Sequence, residues 1–90
     1  MPIYFFDIDD GHGLVPDEDG CEFASLREAR DEAARLLPDL VRESLPLGDS
    51  AIFSVKIRDA SGQCLGTVRL SLDVEWHEAA RKPGRDGGGP

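Results

Sequence analysis

Lysine and arginine are absent from the first 26 residues of the chain, and Arg27 is the first of either. That absence removes the positively charged start of a secretory signal. The apolar run Ile3-Tyr4-Phe5-Phe6 stops after four residues, far short of a signal core or a membrane span. The expectation is a cytoplasmic protein with no membrane partner. Cysteine is scarce too: Cys21 and Cys64 are the whole complement. Two cysteines without an export signal are read as reduced thiols, and they supply no paired-cysteine metal motif. The chain also has no glycine-rich phosphate loop, no histidine-glutamate zinc helix and no nucleophile elbow around any serine. Cys21 with His12 is the best nucleophile-and-base pair available, and a carboxylate-rich segment is the wrong setting for a thiolate. These gaps lead to the expectation of a protein that is not an enzyme and carries no cofactor.

Carboxylates fill the space that basic residues leave. Seven of the eighteen acidic residues lie between Asp7 and Glu22, and outside that stretch eleven acids face ten bases. The formal charge of −8 is therefore largely local to the amino-terminal segment. A field of one sign attracts cations or basic surfaces and repels phosphates. Direct binding to nucleic acid, which needs a basic stripe, is disfavoured. The candidate partner-binding residues are Asp7, Asp9, Asp10, Asp17, Glu18 and Asp19, and the expected partner is a protein with a basic surface. The alternative is a divalent cation. Asp7, Asp9 and Glu18 stand at positions one, three and twelve of a calcium-loop template, although Gly11 replaces a side-chain ligand and His12 stands where the turn needs glycine.

The apolar pattern predicts an α+β fold of order β-β-α-β-β, in which a mostly antiparallel sheet carries one helix on one face. Tyr4, Phe6 and Ile8 alternate with Ile3, Phe5, Asp7 and Asp9, and Asp10-Gly11 signals a hairpin. A three-residue loop would set Ile8 opposite Leu14 on the return strand Leu14-Val15-Pro16, with the proline keeping that strand short and at an edge. Asp17-Glu18-Asp19-Gly20 is a second turn, and Cys21-Glu22-Phe23 leads into the helix. Ser25-Leu26-Arg27-Glu28 reads as a capping box. Leu26, Ala29, Ala33, Leu36, Leu37, Leu40, Val41 and Leu45 then form one apolar stripe. Pro38 predicts a kink rather than a break, with Pro46 and Gly48 marking the helix end.

Two strands follow. Phe53, Val55 and Ile57 face inward on the first, and Val68, Leu70, Leu72, Val74 and Trp76 on the second, with Asp59-Ala60-Ser61-Gly62 closing the hairpin. Cys64 shares parity with Val68 and reads as a small core residue, and Trp76 as a core or sheet-end residue. Lys56, Arg58, Arg69 and Phe5 are left on the open face, exposed or covered by a second copy in a homodimer through the sheet. Residues 1–76 form the expected single domain, and residues 77–90, rich in glycine and proline, a flexible tail. A domain of this size buries only about 60% of the surface its unfolded chain exposes, so its core is small.

The opening Pro2-Ile3-Tyr4-Phe5-Phe6-Asp7-Ile8-Asp9-Asp10-Gly11, the turn Asp17-Glu18-Asp19-Gly20, the helix opening from Leu26 to Ala34 and the closing Leu72-Asp73-Val74-Glu75-Trp76 together resemble the DUF6894 domain. That family comprises small bacterial proteins, found mainly in rhizobia and related alphaproteobacteria. The resemblance spans about residues 1 to 76. It implies the same α+β fold with an uninterrupted helix, from which Pro38 departs, and it brings no function. A weaker similarity, in patterning more than in motif, is to HicB-type antitoxins. This chain has no segment that would serve such a protein as a DNA-binding element, so an antitoxin-like regulator is a specific form of the protein-binding expectation.

Overall fold

The computed structural model describes residues 1–45 and 48–78. Its elements are β1 (Ile3–Asp9), β2 (Leu14–Val15), β3 (Cys21–Glu22), α1 (Leu26–Ser44), β4 (Ser50–Asp59) and β5 (Cys64–Asp73). They form an antiparallel sheet of order β2-β1-β4-β5, with β3 also paired to β1, and a single helix on one face. The α+β expectation holds. The order gains one strand and becomes β-β-β-α-β-β, because Cys21 and Glu22 pair with Tyr4 and Ile3 instead of merely leading into the helix. The Phe23 amide extends that pairing by donating to the Pro2 carbonyl at 3.1 Å.

The helix starts where a side chain can satisfy its first free amides. Ser25 has extended backbone, and its Oγ accepts from the Glu28 amide at 3.2 Å, a cap worth about 1 kcal/mol. Glu28 reaches back one residue farther than a capping box requires, to the Ala24 amide at 3.3 Å rather than that of Ser25. One helix runs through Pro38 to Ser44. Leu45 leaves helical geometry at φ −71° and ψ 145°, the conformation imposed on a residue that precedes proline. Pro46 itself, and the tail from residue 79 onward, lie outside the described residues.

The core is narrow. Ala29, Ala33 and Leu37 of α1 pack on Phe53, Val55 and Ile57 of β4 and on Tyr4 of β1, all of them buried. Two alanines on the inward stripe let the helix sit close to β4 and β5, the strands it contacts most. It does not spread across β1. Phe23 covers part of that strand instead, its ring stacked 5.6 Å from Phe6 and tilted 6.2 Å from Tyr4. The helix-facing side of Ile8 and Val15 is left without a helix above it.

Two registers differ from expectation. Ile8 pairs with Val15, and Asp9 with Leu14, so the connecting loop has four residues and Ile8 does not face Leu14. Two carboxylates stabilise the longer loop: Asp9 Oδ1 accepts from the Gly11 amide and Asp10 Oδ1 from the His12 amide, each at 2.9 Å. Such side-chain turns compete with a tighter hairpin. At the other end of the sheet, the β4–β5 ladder pairs Ile57 with Gly66 but Arg58 with Cys64. The extra residue, Leu65, is a bulge that reverses the alternation beyond it. Cys64 is therefore exposed on the open side rather than in the core; Cys21 is exposed as well, and both thiols are free. Trp76 does lie at the sheet end, where its indole N–H donates to Asp49 Oδ1 at 3.3 Å.

Candidate functional site

β2 and β3 pair with opposite ends of the same edge of β1, and between them the chain leaves that edge at Pro16, which cannot donate to a ladder. The gap is closed by a carboxylate. Asp17 Oδ2 accepts from the Phe6 amide at 3.0 Å, taking the place of a neighbouring strand's carbonyl, while its Oδ1 accepts from the Asp19 and Gly20 amides at 3.1 and 3.2 Å. Asp7 answers from β1 by accepting the Asp17 amide at 2.9 Å. The turn closes at Gly20, with φ +73°; a Cβ there would lie 2.8 Å from Ile3 Cγ2 and from Phe5 Cε2, so both the conformation and the space require glycine.

Asp7 sits in the middle of a strand and is buried. A buried charge needs a partner, and Arg58 of β4 supplies it in a two-point contact, Nε to Oδ2 at 2.9 Å and Nη2 to Oδ1 at 3.0 Å. Nη2 also donates to the Asp17 carbonyl at 3.0 Å, and the guanidinium lies 4.7 Å over the Phe5 ring. The Arg58 hydrogen bond holds the Asp7 carboxyl below the usual carboxylate value of 3.8, against the opposing effect of burial, with help from the Asp17 amide and the charges of Arg58 and Lys56. Burial pushes Asp17 up, but the amides of Phe6, Asp19 and Gly20 outweigh it and leave that carboxyl low as well. Arg58 is held more firmly protonated by Asp7.

The six acidic candidates thus divide into three kinds. Asp7 and Asp17 are committed to the fold. Asp9 and Asp10 each give one oxygen to the hairpin loop, and Asp10 also lies 3.7 Å from His12 Nδ1. The Glu18 and Asp19 carboxylates are exposed and make no hydrogen bond or ion pair among the described residues. The calcium-loop spacing does not become a cluster: Asp7 is turned into Arg58, and among the described residues no group of three or more His, Cys, Asp and Glu side chains could hold a metal ion. His12 and Cys21 are not brought together, since Cys21 pairs with Tyr4 near the start of β1 and His12 follows its end.

Reading the sequence left Arg58 among the exposed basic residues, yet its side chain is only 26% exposed. The signal was Asp7, a charge placed centrally in an apolar strand that would have to find a cation across the sheet. The sequence also gave no warning of a surface depression of about 600 Å³ beside the turn. Its floor and walls are Phe6, Ile8, Val15, Pro16 and Leu36, and Asp17, Glu18 and Asp19 form its acidic rim. It exists because α1 lies over β4 and β5 and leaves the β1–β2 side of the same face uncovered.

A one-helix, antiparallel α+β domain with an apolar depression edged by carboxylates is the class that this geometry defines. Residues 3–71 match the family model described as "Domain of unknown function (DUF6894)". The chain belongs to the DUF6894 family. No curated protein and no solved structure matches it significantly. Among the described residues no helix is long and apolar enough to cross a membrane.

Proposed function

We propose that this domain is a small, non-enzymatic protein-interaction module, and that a basic, amphipathic segment of another protein docks in the depression beside the Asp17–Gly20 turn. One observation carries this reading: two uncommitted carboxylates, Glu18 and Asp19, stand over an apolar floor that the domain's own helix leaves bare. Val15 is 64% exposed there although it belongs to the face that elsewhere forms the core. Apolar contact would supply most of the affinity, and the rim would steer a basic partner and set its register. Asp9 and Asp10, at the end of the same hairpin, add to the field even though each spends an oxygen on the loop. The location is cytoplasmic in this reading, and neither a phosphate backbone nor a membrane is the partner.

The test is affinity capture from a bacterial lysate at low and high salt, followed by titration of the purified protein that is retained. The variants are Val15→Asp for the floor and Glu18→Lys with Asp19→Lys for the rim. The rim variant is expected to weaken binding at low salt and to flatten its salt dependence, whereas the floor variant loses binding at both salt concentrations. Binding unchanged in both variants would refute the proposal.

A further inference from the structure

The outer edge of β5 is the second unpartnered surface, and it is independent of the depression. β5 is terminal in the sheet and ten residues long, and no strand lies beside its outer edge among the described residues. Exposed edges of this length are templates for pairing, and soluble domains usually blunt them with proline, inward-facing charge or very short strands. β5 has no proline, and its helix-facing row beyond the bulge is uncharged. That row continues into exposed apolar side chains, with Leu70 39%, Val74 38% and Trp76 43% exposed. On the open face, Arg69 and Asp73 lie opposite Ser54 and Ser50 of β4, and neither has an ion-pair partner among the described residues.

We propose that this edge is a self-association surface at which a second copy of the chain pairs antiparallel to β5, with the two-fold axis at Ser71. Directly opposed residues of an antiparallel pair share a face, so a symmetric pairing must place some residue opposite its own copy. With Ser71 at the axis, Arg69 of each copy meets Asp73 of the other, Leu70 meets Leu72 and Val68 meets Val74. Charge and apolar complementarity then fall in one register. Moving the axis to Arg69 would oppose two arginines, and moving it to Leu70 would leave Arg69 facing Ser71. The Val74 amide already continues the inner ladder by donating to the Asp49 carbonyl at 2.7 Å, so the extended backbone reaches far enough to complete the pairing. The narrow monomer core supplies the motive, since small domains gain stability from a partner that covers more surface.

The experiment uses the full chain in sedimentation equilibrium over a concentration series. Arg69→Asp and Asp73→Arg are each expected to weaken the dimer by about tenfold, because each creates two like-charge pairs across the axis, and the double reversal is expected to restore it. A separate variant, Ser71→Cys with Cys21→Ser and Cys64→Ser, is expected to form an intermolecular disulfide under mild oxidation, because an opposed pair at the axis has the Cα spacing a disulfide needs. A monomeric mass across the series, or a dimer indifferent to the single reversals and not linked through position 71, would overturn the proposal. Capture of an unrelated extended peptide by a chain that stays monomeric would do the same.

Discussion

Along β1 the sheet ends in two strands of two residues each, a proline and a carboxylate that takes a main-chain amide. Along β5 it ends in ten residues of strand with no strand along their outer edge among the described residues. The first edge has been spent: the Phe6 amide is taken by Asp17, and the Asp7 carboxylate is bound to Arg58. The second is open to another strand. Reading a sheet for partners therefore means asking where its edge amides go before asking where its charges are. In this domain the most acidic stretch is also the most internally committed, and only Glu18 and Asp19 of the six candidates are wholly free of that commitment.

The comparison breaks first at Asp7. Asp7→Ala removes the acceptor for the Asp17 amide and for both Arg58 contacts, and leaves that amide and Arg58 Nε half-buried and unpaired, with Nη2 keeping only the Asp17 carbonyl. The expected loss is about 2–3 kcal/mol, seen in thermal melts as a fall in Tm of roughly 10–20 °C. Gly20→Ala comes next. A side chain at φ +73° and 2.8 Å from Ile3 and Phe5 should cost on the order of 1–2 kcal/mol in denaturant titrations. It should also loosen β3 more than β5, which amide exchange would resolve.

Acid tests the same edge without a mutation. Asp7 and Asp17 titrate lower in the folded chain than when unfolded, so the stability they contribute is complete above the unfolded value near 3.8 and is lost as pH falls through their lowered folded values. Denaturation midpoints should thus be level near neutrality and drop below about pH 4, and Asp7→Asn should flatten that drop. The smallest effect sharpens the contrast. Glu18→Gln with Asp19→Asn should leave stability within about 0.5 kcal/mol of wild type, and chemical denaturation that showed a larger loss would return these two carboxylates to the committed group.

The elements with sustained periodicity could be read from the sequence: the Leu26 stripe with its Ser25 cap, and the alternation of β4 and β5. What escaped was set by single residues acting at a distance or against the pattern. Two residues, Cys21 and Glu22, are too few to show alternation. The loop between Asp9 and Leu14 took its length from two side-chain turns rather than from the apolar match of Ile8. Leu65 reversed the parity of everything before it in β5, which carried Cys64 to the surface. The pairing of Asp7 with Arg58 spans 51 positions, and the depression depends on which strands the helix chose to cover, a property of no local segment. The site was legible as a stretch of acidic residues and illegible as a division of labour among them.

Trp76 is the chain's single tryptophan, held at the end of the sheet by Asp49 and still 43% exposed. In the two-fold register about Ser71 it comes to lie across from Gly66 of the second copy, leaving water for protein. The domain thus carries its own optical reporter: intrinsic emission should move to shorter wavelength as copies associate, and back again on dilution, so that its state of assembly can be followed on the unlabelled, unmodified chain.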